Sequence, residues 1–261
     1  MAGVHCSMLD ARNLTKYYAA IPAIRRVSFT VPPGAVLGLL GPNGSGKSTT
    51  VSILTGLLEP SGGGVFFEGV DIQENLLHYK ALIGYVPEEA HLYNHLTGPE
   101  YLQFIGQLRS LPEARLRRRI GAFLEIFGLT DDWHAPLSAY SKGMRQKILI
   151  SAALLHNPQI VIFDEPDSGL DVTSSLVLRH VVRALAAEGR IVVYSSHVLE
   201  IVEQVATDVL ILQHGRVAAH GSVAVLRDLM KLASLEEVFR HTLVNTDVEG
   251  VAGNLVGAMK A

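Results

Sequence analysis

The chain has 261 residues, 48% of them hydrophobic and 18% charged, with a formal net charge of −3. That length buries an ample core for one large α/β domain or two small ones, and the charge balance gives no basic excess that would point to nucleic acid. A lone Cys6 sets aside disulfides and thiol metal sites, no charged-then-apolar leader is visible, and no apolar run reaches the ~18 residues of a membrane span, so a soluble, intracellular chain is expected.

The first third reads as strands. Met8 to Leu14 and Ile24 to Val31 alternate apolar and polar residues, and Pro32-Pro33-Gly34 ends the second run. Val36 to Leu40 is a continuous apolar strand. It runs into Gly41-Pro42-Asn43-Gly44-Ser45-Gly46-Lys47-Ser48-Thr49, after which Val51, Ile53, Leu54 and Leu57 fit one face of a helix. Strand, G-x4-G-K-S and helix together define a phosphate-binding P-loop. Its glycines let backbone N–H groups turn toward the phosphates, and the helix N-terminus adds partial positive charge. Lys47 would reach the β and γ oxygens, and the Ser48 hydroxyl would sit on Mg²⁺. ATP or GTP is the expected ligand.

Val65 to Gly69 and Ile83 to Val86 are further strand candidates. From about Thr97 to His156 the periodicity is helical: Tyr101, Phe104, Ile105 and Leu108 share one face, and Leu116, Ile120, Phe123, Leu124 and Phe127 another. Arg115 and Arg117 to Arg119 read as the solvated side of that second helix. After Asn157-Pro158 come a strand at Ile160–Phe163, a helix from Ser174 to Ala187 with Val177, Val181, Ala184 and Leu185 as its stripe, and a strand at Ile191–Tyr194. His214-Gly215 is expected to turn a hairpin between Val209–Leu212 and Arg216–Ala219. His91 and His95 have i, i+4 spacing but no evident third ligand, which argues against a metal site. Strand Ile160–Phe163 ends in Asp164-Glu165, an acidic pair of Walker B form: Asp164 suits Mg²⁺ and Glu165 can polarise an attacking water.

With these residues the chain resembles the ATP-binding cassette (ABC) ATPases over nearly its whole length. Pro166-Asp167-Ser168-Gly169-Leu170-Asp171 looks like the family's D-loop, His197 after Tyr194-Ser195-Ser196 its switch histidine, and Tyr140 to Lys147 its signature. Tyr18 matches the aromatic that stacks on adenine, with Tyr17 as the alternative, and Glu88 occupies the Q-loop position. The resemblance implies an α/β P-loop NTPase fold (RecA-like core) with an N-terminal antiparallel β subdomain and an inserted α-helical subdomain. The expected division is an ATPase domain at 1–222, made of a core (1–89 and 157–222) and a helical part (about 90–156), followed by a short helical tail at 223–261.

The same resemblance implies that Lys47, Glu165 and His197 are catalytic, and that Tyr18, residues 41–49, Ser141 and Gly143 bind nucleotide. Ser48, Asp164 and Glu88 would then serve Mg²⁺. Ser141 would cap the signature helix and, with Gly143, face the ATP of a second cassette; the two nucleotides would be sandwiched head to tail. Two departures stand out. Leu, Gly and Gln of the usual signature become Tyr140, Lys142 and Met144, and glutamine becomes Glu88, both as in the drug- and lipid-exporter-like branch. The implied protein is the ATP-hydrolysing subunit of a membrane transporter, an exporter, peripheral to the cytoplasmic face of the membrane. Its partners would be a transmembrane permease, received near Leu92, Tyr93 and Leu96, and a second cassette chain, with no nucleic acid. The alternative is a soluble cassette ATPase such as one for iron–sulfur cluster assembly. A P-loop kinase would need neither signature nor D-loop.

Overall fold

The computed structural model describes residues 8–230. The chain runs β1 (Leu9–Tyr18), β2 (Ile21–Val31), β3 (Val36–Leu40), α1 (Lys47–Leu54), β4 (Gly62–Phe67), β5 (Val70–Asp71), α2 (Leu76–Leu82) and β6 (Ile83–Val86). Three helices follow, α3 (Gly98–Leu108), α4 (Glu113–Ile126) and α5 (Lys142–Leu154). Then come β7 (Ile160–Asp164), α6 (Val172–Ala187), β8 (Ile191–Ser195), α7 (Leu199–Val205), β9 (Asp208–Gln213), β10 (Arg216–Ser222) and α8 (Val223–Met230). The part of the expected helical tail beyond residue 230, like Cys6, lies outside the described residues.

Two sheets result. One is antiparallel, in the order β2-β1-β4-β5; the other has six strands in the order β10-β9-β3-β8-β7-β6. In the second, β3 pairs in parallel with both β8 and β9, β7 with β6 and β8, and only β10 runs antiparallel, at an edge. Strands β3, β7 and β8 are buried at every residue, which is why they read as unbroken apolar runs. Their side chains divide by the two-residue period. Leu37, Leu39, Ile160, Ile162, Ile191 and Val193 join α1 and the antiparallel sheet in one cluster. Val36, Leu40, Val161, Phe163, Val192 and Tyr194 face α5, α6 and α7 in the other. A third cluster, built from α3, α4 and α5, stands apart and includes Leu102, Leu116, Leu124 and Tyr140. The parallel arrangement sends the C-terminal ends of β3, β7 and β8 to one edge of the sheet, where ligand sites of open α/β sheets form.

The phases of three helices differ from the sequence reading. In α6 the buried apolar residues are Leu178 and Val182, backed by Leu185 and Ala186, whereas Val177 is exposed. Two apolar stripes lie side by side on this helix, and the sheet contact, not the period, chooses between them. In α3, Tyr101 and Leu102 turn inward while Leu108 is exposed, because α4 packs close enough to put Leu116 against Gly106. Helix α1 ends at Leu54, one residue before its Thr55 C-cap, so Leu57 falls outside the helix and is exposed. The α4 stripe is as expected, and Arg117 meets Glu113 on its outer side. Arg119 departs from the solvated side, since its guanidinium donates to the Leu155 carbonyl at 2.5 Å. His91 pairs with Glu89 at 3.3 Å, and no cluster of three or more histidine, cysteine, aspartate or glutamate side chains placed to hold a metal occurs among the described residues. No helix among them is long and apolar enough to cross a membrane.

Candidate nucleotide site

The loop between β3 and α1 is shaped by contacts within the chain. Gly46, at the helix N-cap, has φ 106°, and a Cβ there would lie 2.5 Å from the Ile24 side chain of β2. The Ser45 N–H donates to Pro42 O at 3.1 Å, and Gly215 of the β9–β10 turn donates its N–H to Ser45 O at 3.0 Å. Gly215 O in turn accepts from Arg25 N–H at 2.7 Å, so three distant stretches brace one loop. Lys47 is buried, with its ammonium held by the carbonyls of Gly41 (2.7 Å) and Pro42 (3.4 Å). Those are two contacts that a polyphosphate can replace.

A cavity of about 660 Å³ opens over this loop. Its walls are Gly41, Pro42, Asn43, Gly44, Gly46, Lys47, Ser48 and Thr49, together with Ala23, Glu88, Asp164, Glu165 and His197. The loop, the acids at the end of β7 and the histidine after β8 therefore meet in one place. The Ser45 hydroxyl is buried and finds no partner among the described residues. Tyr18 (53% exposed) and Tyr17 (45%) stand at the end of the β1–β2 hairpin, beyond the cavity wall, and Lys16 Nζ lies 5.9 Å from the Tyr18 ring centre. Ala23, across that hairpin, lines the cavity with no chemical signal in its sequence.

Electrostatics favour a cation here. Burial pushes the Asp164 carboxyl above the usual carboxylate range, Glu88 and Glu165 raise it further, and Lys47 opposes them. The Ser195 hydroxyl also opposes the rise, although it forms no hydrogen bond of good geometry. Ser48, Asp164 and Glu88 offer an all-oxygen donor set of the kind hard divalent ions take. Glu165 adopts φ 49°, a costly value for a residue with a Cβ, and its N–H is anchored on Ser195 O at 3.0 Å. Its Oε2 lies 2.7 Å from His197 Nδ1. An ionised carboxylate accepts only, so Nδ1 carries the proton and Nε2 is left for a second partner.

The signature residues lie outside this cavity. Ser141 caps α5, accepting from Met144 N–H at 3.2 Å. Tyr140, Lys142, Arg145 and Gln146 line a second hollow of about 580 Å³ with Ser168 and Glu88, the one acid common to both. Tyr140 is a packing residue: its ring is buried in the third cluster, and its hydroxyl donates to Asp132 O at 3.0 Å. Gly143 is small for a reason internal to the chain, since a Cβ there would lie 2.5 Å from Gly169 O of the D-loop. Gln146, buried, donates to Pro166 O at 3.0 Å, and Tyr194 donates its hydroxyl to the Asp167 carboxylate. Neither contact carries a motif that would reveal it in the sequence.

A P-loop, an acidic strand end and a histidine around one cavity define a nucleoside-triphosphate hydrolase. Residues 24–168 match the family model described as ABC transporter. The chain is 36% identical over 225 residues to the ABC transporter ATP-binding protein NatA of Bacillus subtilis, covering 86% of this chain and 92% of that protein. It is 37% identical over 215 residues to the linearmycin resistance ATP-binding protein LnrL of the same organism, covering 82% and 69%. A solved ATP-binding subunit of an ABC transporter superposes with a TM-score of 0.85 at 33% identity, covering 90% of this chain and 99% of that one. The chain belongs to the ABC transporter family, as an ATP-binding subunit that hydrolyses ATP to power a membrane transporter.

Proposed function

We propose that two copies of this cassette, or one copy and a related chain, close head to tail around two ATP molecules to drive a transmembrane permease. The observation that carries this reading is the separation of the two halves of the site. Lys47, Asp164, Glu165 and His197 surround one cavity, while Ser141 and Gly143 lie outside it. A second chain would bring the missing half.

In that arrangement the N–H groups of residues 41–49 hold the polyphosphate, and the Lys47 ammonium leaves its two carbonyls for the β and γ oxygens. Ser48, Asp164 and Glu88 would hold Mg²⁺, which supplies charge neutralisation on the phosphates. Glu165 accepts the proton of the attacking water. His197, with Nδ1 committed to Glu165, offers Nε2 to the γ-phosphate. Tyr18, on the adjoining hairpin, offers adenine a ring face. The capped N-terminus of α5 at Ser141 faces the phosphate of the opposite chain. We assign the ATPase domain to 1–222, with its core in 1–89 and 157–222 and its helical part in about 90–156, and the tail to 223–261. Transport outward, from the cytoplasmic face of the membrane, is supported by the resistance function in the name of LnrL. The permease would be received near Tyr93, which is exposed and edge-on to Phe104.

The test mixes two inactive variants. Lys47→Ala leaves phosphate charge unbalanced in the loop and loses ATP binding; Ser141→Arg blocks the incoming phosphate yet keeps the chain's own cavity. A mixed dimer holds one site with both defects and one with neither, so partial hydrolysis returns. Absence of recovery, with mixed dimers shown to form, overturns the head-to-tail arrangement.

A further inference from the structure

The D-loop is fastened to the signature helix at three places. Gly169 O sits against Gly143, Pro166 O accepts from Gln146, and Ser168 Oγ accepts from the Lys142 ammonium at 2.7 Å. The last of these continues inward. Ser168 donates its own N–H to Glu165 O at 3.1 Å, Glu165 N–H donates to Ser195 O, and the Glu165 carboxylate accepts from His197. Two hydrogen bonds, one to the Ser168 side chain and one from its backbone N–H, therefore connect an exposed lysine in the signature to the backbone of the residue whose carboxylate lines the nucleotide cavity of the same chain.

We propose that Lys142 is a positioning residue for hydrolysis, setting Glu165 of its own chain through Ser168. The backbone of Glu165 makes this control possible. At φ 49° it is held in a strained conformation that depends on its neighbours, so releasing the turn at Ser168 lets the carboxylate drift from the attacking water. The obvious competing role is electrostatic, with Lys142 reaching the triphosphate of the opposite chain. In this structure the ammonium is already committed to Ser168, and the aliphatic stem packs beside Gly169, where a Cβ would lie 2.7 Å from Lys142 Cγ. The inference rests on the hydrolytic role of Glu165; the competing role rests on the head-to-tail arrangement.

Steady-state hydrolysis separates them. Lys142→Met lowers kcat roughly three- to tenfold, the range for loss of one ordinary, solvent-accessible hydrogen bond, with KM for ATP unchanged. Ser168→Ala does the same, the double variant is no slower than either single, and Lys142→Arg restores most of the rate. Losses that multiply in the double variant overturn the proposal. So does a rise in KM for Lys142→Met with Ser168→Ala silent, or a fall in single-chain ATP affinity that marks general unfolding. A mixture supplies the spatial test. Paired with Lys47→Ala chains, Lys142→Met is slower than the parent paired with the same chains, because the only intact P-loop then shares its chain with the altered lysine. Equal rates in the two mixtures, where Ser141→Arg with Lys47→Ala recovers activity, overturn action within one chain. Failure of that last pair to recover counts against the dimer reading and leaves the Lys142–Ser168 cycle as the measure of this one.

Discussion

Gly143→Ala tests the close packing of the signature helix on the D-loop. The added Cβ would stand 2.5 Å from Gly169 O and 3.5 Å from Gly169 C. An unstrained carbon–oxygen contact needs about 3.3 Å, so the carbonyl must retreat by about 0.8 Å. It cannot do so alone, because Gln146 ties Pro166 and Lys142 ties Ser168 to the same helix. Overpacking of this kind costs about 1–3 kcal/mol, which for a chain of this size lowers Tm by about 2–12 °C. The displaced D-loop also shifts Glu165 through the Ser168 N–H, and a displacement near ~1 Å costs up to ~10²-fold in rate. A drop in kcat of roughly ten- to a hundredfold is expected with ATP binding by the single chain intact, since the nucleotide cavity lies elsewhere. Thermal melting, phosphate release and nucleotide titration by fluorescence measure the three quantities. A variant that melts and turns over like the parent would refute the close packing of signature helix on D-loop.

Two further outcomes follow from single side chains. Glu165→Gln keeps the shape that accepts from His197 but cannot take a proton, so kcat falls by about 10²–10⁴ while ATP affinity persists; phosphate release near the parental rate would count against a general base there. His156 is driven down to about 4 by burial first and then by Arg109 and Arg119, against its bond to Ile83 O, so it is neutral at pH 7. Because the unfolded chain binds the proton more readily, its contribution is complete above the ordinary histidine value and is lost as the pH falls toward 4. With a discount for the ring's partial exposure, the loss at pH 5 is about 1 kcal/mol, and His156→Gln should flatten this part of the denaturant-measured stability profile; an unchanged slope would show that the ring is not held neutral.

How legible the molecule was depends on whether a residue's role is local. The P-loop and the acids after Phe163 announce themselves because strand, turn and ligand chemistry lie adjacent in the chain, and the buried strands β3, β7 and β8 because both their faces are apolar. Helix phase was read less well: Val177 and Leu178 are equally apolar, and only the neighbouring sheet decides which is covered. Roles made by distant contacts were not legible. Tyr140 looked like a departure in a phosphate-facing motif and is a ring in the core of the helical cluster with its hydroxyl on Asp132. Gly143, expected to face the ATP of a second cassette, also leaves room for Gly169 O, a contact its position in the chain does not announce. The 2.7 Å approach of His197 to Glu165 joins residues thirty-two positions apart, a pairing no local spacing encodes.

The turn at His214-Gly215 was expected to do no more than reverse a hairpin, yet its amide holds Ser45 O. The conformational entropy of the loop after β3 is thus given up when the protein folds rather than when nucleotide arrives, and tightness of binding gains from that rigidity. The turn is therefore a poor place to graft a tag or open the chain for circular permutation, although an edge hairpin would ordinarily be the first choice. Lengthening it would slacken the grip on nucleotide without altering a single atom that touches the ligand.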